Sequence, residues 1–119
     1  MSNVLLLEDN ADTRDMLVYL LKATGHSVRA VGSIKLALQE IQLAPYEVLI
    51  SDISLPDGDG WELMRELRRS GSTIRGIAMS GHSSARDVAK SLESGFQHHL
   101  VKPIEFDELE SILRTDTVP

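Results

Sequence analysis

Short apolar runs alternate with helix-period segments five times along this 119-residue chain, and that alternation leaves few folds open. Runs at about 4–8, 28–31, 47–52, 76–80 and 98–101 read as strands. The first helix, about 11–24, carries Met16, Leu17, Leu20 and Leu21 on one face and stops at Gly25. The second opens at Ser33, a good N-cap, repeats Ile34, Ala37, Leu38 and Ile41 at helical spacing, and closes at Pro45. Leu55-Pro56-Asp57-Gly58-Asp59-Gly60 is a loop by composition. A third helix follows, with Trp61, Met64 and Leu67 inward and Gly71 at its end. The fourth starts near Ser84 with Asp87 as a weak capping box, presents Ala85, Val88, Ala89 and Leu92 as its apolar face, and ends at Gly95. The fifth, about 104–114, turns Phe106, Leu109, Ile112 and Leu113 inward, and residues 115–119 read as a frayed tail.

Strands alternating with helices imply a parallel sheet covered on both faces, an α/β doubly wound sandwich. Right-handed crossovers then bring every strand's C-terminal end to one edge, where ligand sites of such sheets lie. One domain is expected, with its core over 4–114. The chain lacks cysteine, so disulfides and thiolate metal sites are excluded, which fits a cytoplasmic setting. No apolar run approaches the roughly 20 residues that span a bilayer, so no membrane contact is expected. A net charge of −6 disfavours nucleic acid as a partner. Arg65, Arg68 and Arg69 form a local basic patch that reads as a solvated helix face.

The strand ends carry the chemistry. Val4 to Leu7 runs into Glu8-Asp9, Val48 to Ser51 into Asp52, Ile77 to Met79 into Ser80, and Leu100-Val101 into Lys102-Pro103. On one sheet edge, three carboxylates, a hydroxyl and an ammonium would converge. Packed carboxylates repel and raise one another's pKa unless a cation sits among them. Oxygen donors without cysteine or a histidine cluster point to Mg²⁺. Lys102 suits Asp52 at rest and a phosphoryl oxygen after reaction. Among the histidines, His26 in a turn looks structural. Adjacent His98 and His99 face opposite ways on a strand and do not form a metal site.

These residues resemble the receiver domain of two-component response regulators. The resemblance runs from Val4 to Leu113 and rests on Glu8-Asp9-Asn10, Asp52, Leu55-Pro56-Asp57-Gly58, Ser80 before Gly81, and Lys102-Pro103. It implies a flavodoxin-like (βα)5 fold with strand order 2-1-3-4-5. It implies that Asp52 takes a phosphoryl group from a phosphohistidine on a histidine kinase or histidine phosphotransfer protein. Asp9, Asp52 and the backbone carbonyl of Ser54 would ligate Mg²⁺, with Glu8 acting mainly through water. Ser80 would hydrogen-bond the phosphoryl group and Lys102 would pair with it. The Lys102-Pro103 bond is cis in similar proteins. Output would come from the face of the fourth helix, fifth strand and fifth helix, through which two copies would also pair. Such a domain is not an enzyme in its own right, although it catalyses its own phosphorylation and dephosphorylation.

One departure stands out. Similar proteins often carry Tyr or Phe three residues before the lysine, and here His99 takes that switch position. A histidine there also suggests pH sensitivity. Ser54 and His82 occupy the positions that tune phosphoryl lifetime in similar proteins. The stretch Gly95 to Pro103 looks similar to receivers of hybrid histidine kinases. Two rival readings are a phosphorylation-independent docking module and a haloacid-dehalogenase-type phosphatase. The phosphatase would need an acid where Ser54 stands.

Overall fold

The computed structural model describes residues 2–81 and 84–116. Its elements alternate as expected: β1 (Asn3–Leu7), α1 (Ala11–Ala23), β2 (Ser27–Val31), α2 (Ile34–Leu43), β3 (Val48–Asp52), α3 (Gly60–Arg69), β4 (Arg75–Ser80), α4 (Ala85–Ser94), β5 (His98–Val101) and α5 (Phe106–Asp116). The five strands form one parallel sheet in the order β2-β1-β3-β4-β5. This is the flavodoxin-like doubly wound architecture. A two-residue antiparallel ladder, Ser54–Leu55 on Gly58–Asp59, decorates the loop after β3.

The side-chain alternation of β1 splits the core in two. Leu5 and Leu7 face one layer with Leu49, Ala37 of α2, and Leu63, Met64 and Leu67 of α3. Val4 and Leu6 face the other with Ile50, Leu17 and Leu21 of α1, and Leu109 and Leu113 of α5. Strands apolar on both faces are what a sheet covered by two helical layers requires. No helix among the described residues is long and apolar enough to cross a membrane.

Four helices start on side-chain N-caps, of which Ser33 and Ser84 were expected from the sequence. Asn10, Ser33, Asp59 and Ser84 accept from Thr13, Leu36, Glu62 and Asp87 backbone N–H groups respectively. Gly95 ends α4 at φ +117°, a left-handed cap that disfavours a Cβ.

Some expectations need correction. Met16 is 50% exposed rather than inward, because the buried stripe of α1 is carried by Leu17 and Leu21. In α4 the expected apolar face is turned outward: Ala85, Ala89 and Leu92 are exposed, Val88 is half-buried, and Ser91 and Ser94 face the domain. Hydrogen bonds, described below, decide that orientation against the apolar stripe. Helix α5 continues through Thr115 and Asp116, where a tail was expected.

Leu109, 0% exposed in the α1/α5 layer, is a direct test of that packing. Leu109→Ala is expected to cost about 2–5 kcal/mol in urea titration. A loss below about 1 kcal/mol would mean that α5 is not seated in the core as described.

Candidate functional site

The site is built where the sheet's hydrogen bonding runs out. Glu8 N still donates to Val31 O at 3.0 Å, one residue beyond β1, and this turns the Glu8 side chain inward to 0% exposure. Its carboxylate accepts from Lys102 Nζ at 2.7 Å and from the Asn10 N–H at 3.1 Å. Arg14 Nη1 donates to the Glu8 carbonyl at 3.0 Å, fixing the backbone just before the exposed Asp9.

Asp52 closes the central strand β3 and is 7% exposed. Lys102 Nζ lies 2.9 Å from its Oδ2, so one ammonium bridges two buried acids. Lys102 itself is positioned by a backbone bond from its N–H to Ser80 O at 2.7 Å, and the Lys102–Pro103 peptide that follows is cis. Ser80, at the end of β4, is buried beside it. Glu8, Asp9 and Asp52 each offer an oxygen, all within 4.8 Å of one another. The chemistry of that set, hard carboxylate oxygens at close range, fits a small divalent cation such as Mg²⁺.

Gly60 is needed at the first turn of α3. A Cβ there would lie 2.6 Å from the Asp52 carbonyl, so only glycine lets the helix start against the end of β3. Its N–H donates to Ile53 O at 2.8 Å, holding the loop that follows Asp52. The Ser54 side chain lies exposed at the start of the small ladder.

The electrostatics divide the acids into two kinds. Burial pushes the Asp52 carboxyl up, the Lys102 hydrogen bond opposes this, and the charge of Glu8 adds to it, leaving Asp52 near 6. Burial also acts upward on Glu8, but Lys102 and the Asn10 N–H outweigh it and hold Glu8 below the usual carboxylate value. Burial would lower Lys102, yet its two carboxylate partners win and raise it. The lysine therefore keeps Glu8 charged and leaves Asp52 as the acid whose charge is costly. A cation at the cluster would relieve that cost.

Sequence reasoning missed three groups. Asp57 accepts from Ile34 N at 3.0 Å and Lys35 N at 3.1 Å, so the loop after β3 caps α2 from outside. No local motif announces a cap supplied from 22 or 23 residues away. Arg68 is not a solvated patch residue. It donates to Ser72 O at 3.0 Å and to Gly95 O at 2.7 Å, tying α3 to the end of α4. Ser91 joins Trp61 to the half-buried His99. His26 is structural as expected, with Nδ1 accepting from Ser2 N at 3.1 Å and Nε2 at 3.1 Å from Glu110. His82 lies outside the described residues.

Comparison with known proteins agrees with this geometry. Residues 4–114 match the family model for the response regulator receiver domain. The chain is 33% identical over 109 residues to a 14.6 kDa protein encoded 3′ of sodA1 in Leptolyngbya boryana, covering 90% of this chain and 83% of that one. It is 34% identical over 114 residues to the KDP operon transcriptional regulatory protein KdpE of Escherichia coli K12, and spans 50% of that protein's length. The receiver domain of the Francisella response regulator 1452 superposes with a TM-score of 0.90 at 27% identity, over 98% of this chain and 94% of that one.

The raised Asp52 value fixes a sign. Native Asp52 holds its proton more tightly than an unfolded aspartate at 3.8, so this group's contribution to stability falls as pH rises from about 4 to about 6. Asp52→Asn removes that loss. In metal-free buffer the variant is expected to be more stable than wild type at pH 7 by about 1–3 kcal/mol, with the gap closing below about pH 4. Urea titrations across that range check this, and equal midpoints at pH 7 would overturn it.

Proposed function

The chain belongs to the response regulator receiver domain family of two-component signalling, and we propose that Asp52 is its phospho-acceptor. The observation that carries this is the single ammonium of Lys102 shared between Asp52 and Glu8 at the end of the central strand, beside Asp9. Asp52 Oδ attacks phosphorus in line, the phosphorus–nitrogen bond of a partner's phosphohistidine breaks, and the histidine leaves with the electron pair. Ser80 donates to one phosphoryl oxygen. Lys102 moves its contact from the Asp52 oxygen to the transferred group, to which it is then the counter-charge. Asp9, Asp52 and the Ser54 carbonyl would hold Mg²⁺, with Glu8 behind them, and such an ion would supply charge neutralisation for the transfer.

The donor is a histidine kinase or a histidine phosphotransfer protein. Supporting this, a groove of about 310 Å³ opens beside Lys102, lined by Thr13, Met16, Leu17, Pro103 and Ile104. Half-exposed Met16 offers a partner helix an apolar, adaptable contact at the mouth of the site. The phosphoryl group adds about −1.5 to −2 charge at the sheet edge. Ser80 moving toward it pulls on the segment leading to α4, and the face of α4, β5 and α5 changes, with His99 as a switch residue. Exposed Leu92 and Val101 on that face suit pairing of two copies. The domain works in the cytoplasm, where its donor's phosphohistidine is made.

Intact mass after incubation with Mg²⁺ and a small acyl phosphate tests the reading. One phosphoryl group is expected on wild type, with none on Asp52→Ala or with EDTA present. Lys102→Ala is expected to retain Mg²⁺ binding and to lose most of the uptake. Persistent labelling of Asp52→Ala would sink the assignment.

A further inference from the structure

Helix α4 is seated by polar contacts. Its two buried side chains are Ser91 and Ser94, 0% and 3% exposed, with Val88 half-buried beside them. Ser91 lies in the middle of a chain that joins three elements. Trp61 Nε1 of α3 donates to Ser91 Oγ at 2.8 Å, and Ser91 Oγ lies 2.8 Å from His99 Nδ1 of β5. An indole N–H can only donate, so Ser91 accepts there and its own hydrogen is available to the imidazole. With Ser91 fully buried, neither partner is readily replaced by water. Lys90 sets its ammonium 4.4 Å over the Trp61 ring, a second contact between the same two helices. The far end of α4 is pinned separately, by the bond from Arg68 to Gly95 O.

We propose that the Trp61–Ser91–His99 hydrogen-bond chain is the latch that holds α4 in its resting position, and that loading of Asp52 opens it. The second half rests on the receiver reading; the first half does not. The sheet supplies the connection. Ser80 lies opposite Val101 and Ala78 opposite His99 in the β4–β5 ladder, and Lys102 N is bonded to Ser80 O. A shift of Ser80 toward a group on Asp52 therefore moves the strand end that leads into α4 and strains the ladder that carries His99. With the C-terminal end held by Arg68, α4 pivots there and Ser91 withdraws from between its two partners. A buried hydroxyl that loses one partner leaves a polar group unpaired, so the chain is either made or broken, which makes it a two-state element.

Trp61 is the only tryptophan, so its emission reports the latch directly. Ser91→Ala removes the hydroxyl while raising helix propensity, so any loosening of α4 cannot come from a weaker helix. His99→Phe removes the imidazole partner and keeps a ring. Amide hydrogen exchange over residues 85–94 and Trp61 emission are measured first without ligand. Both variants are expected to exchange about tenfold faster there, the scale of one lost hydrogen bond. Their emission shifts, and the double variant goes no further than the singles. With Mg²⁺ and beryllofluoride, a phosphoryl mimic, wild type is expected to move to the values of resting Ser91→Ala. Unchanged exchange and emission in resting Ser91→Ala would overturn the latch. A wild type that takes up phosphoryl by mass but keeps its resting α4 signals with beryllofluoride would overturn the coupling to Asp52. No phosphoryl uptake at all sinks the receiver reading and the coupling with it, while the resting exchange still decides the latch.

Discussion

An ammonium 2.7 Å from one buried carboxylate and 2.9 Å from another is what lets this sheet edge carry its acids. Glu8 is sealed from solvent and Asp52 nearly so. Without Lys102, two like charges would share a low-dielectric edge and at least one would protonate. The lysine does not satisfy both equally. Glu8 also has the Asn10 N–H and stays charged, whereas Asp52 remains raised. The arrangement thus keeps one acid as a fixed counter-ion and leaves the other poised for a reaction that changes its charge.

The surrounding fold serves that poise. Gly60 lets α3 start against the Asp52 carbonyl, and Asp57 anchors the intervening loop on the N-terminus of α2. The exit of β3 is therefore held from two helices. A carboxylate at a helix N-terminus satisfies orphan N–H groups and meets the positive end of the helix dipole. The loop's mixture of glycine, proline and aspartate is in this light a fitted clamp rather than a generic turn.

Most of the fold was legible because it rests on periodicity. Val4 to Leu7 and Val48 to Ile50 are apolar at every position, which is what two covering layers demand, and the strand-end residues follow from where those runs stop. Glu8, Asp9, Asp52, Ser80 and Lys102 converge for the same reason. What escaped were contacts made across elements by ordinary polar side chains. Asp57 reads as a turn residue, Arg68 as surface, and Ser91 as an interruption in an apolar helix face. Each is decided by a partner distant in sequence, and periodicity carries no information about that. In α4 the apolar pattern even pointed to the wrong face, because Trp61 and His99 present polar atoms that the Ser91 hydroxyl meets.

The serine-faced seat of α4 also sets how its position should respond to temperature. Elements docked through apolar area carry a large heat-capacity change when they leave, and their equilibria curve with temperature. Ser91 and Ser94 bury little hydrocarbon, and Ala85, Ala89 and Leu92 are already in solvent at rest. Displacing this helix then exchanges a few hydrogen bonds and one ring contact, with little change in hydrated apolar surface. The balance between a seated and a displaced α4 would then be governed by a nearly constant enthalpy and give a nearly straight van't Hoff line, so it would drift in one direction with temperature instead of passing through an optimum.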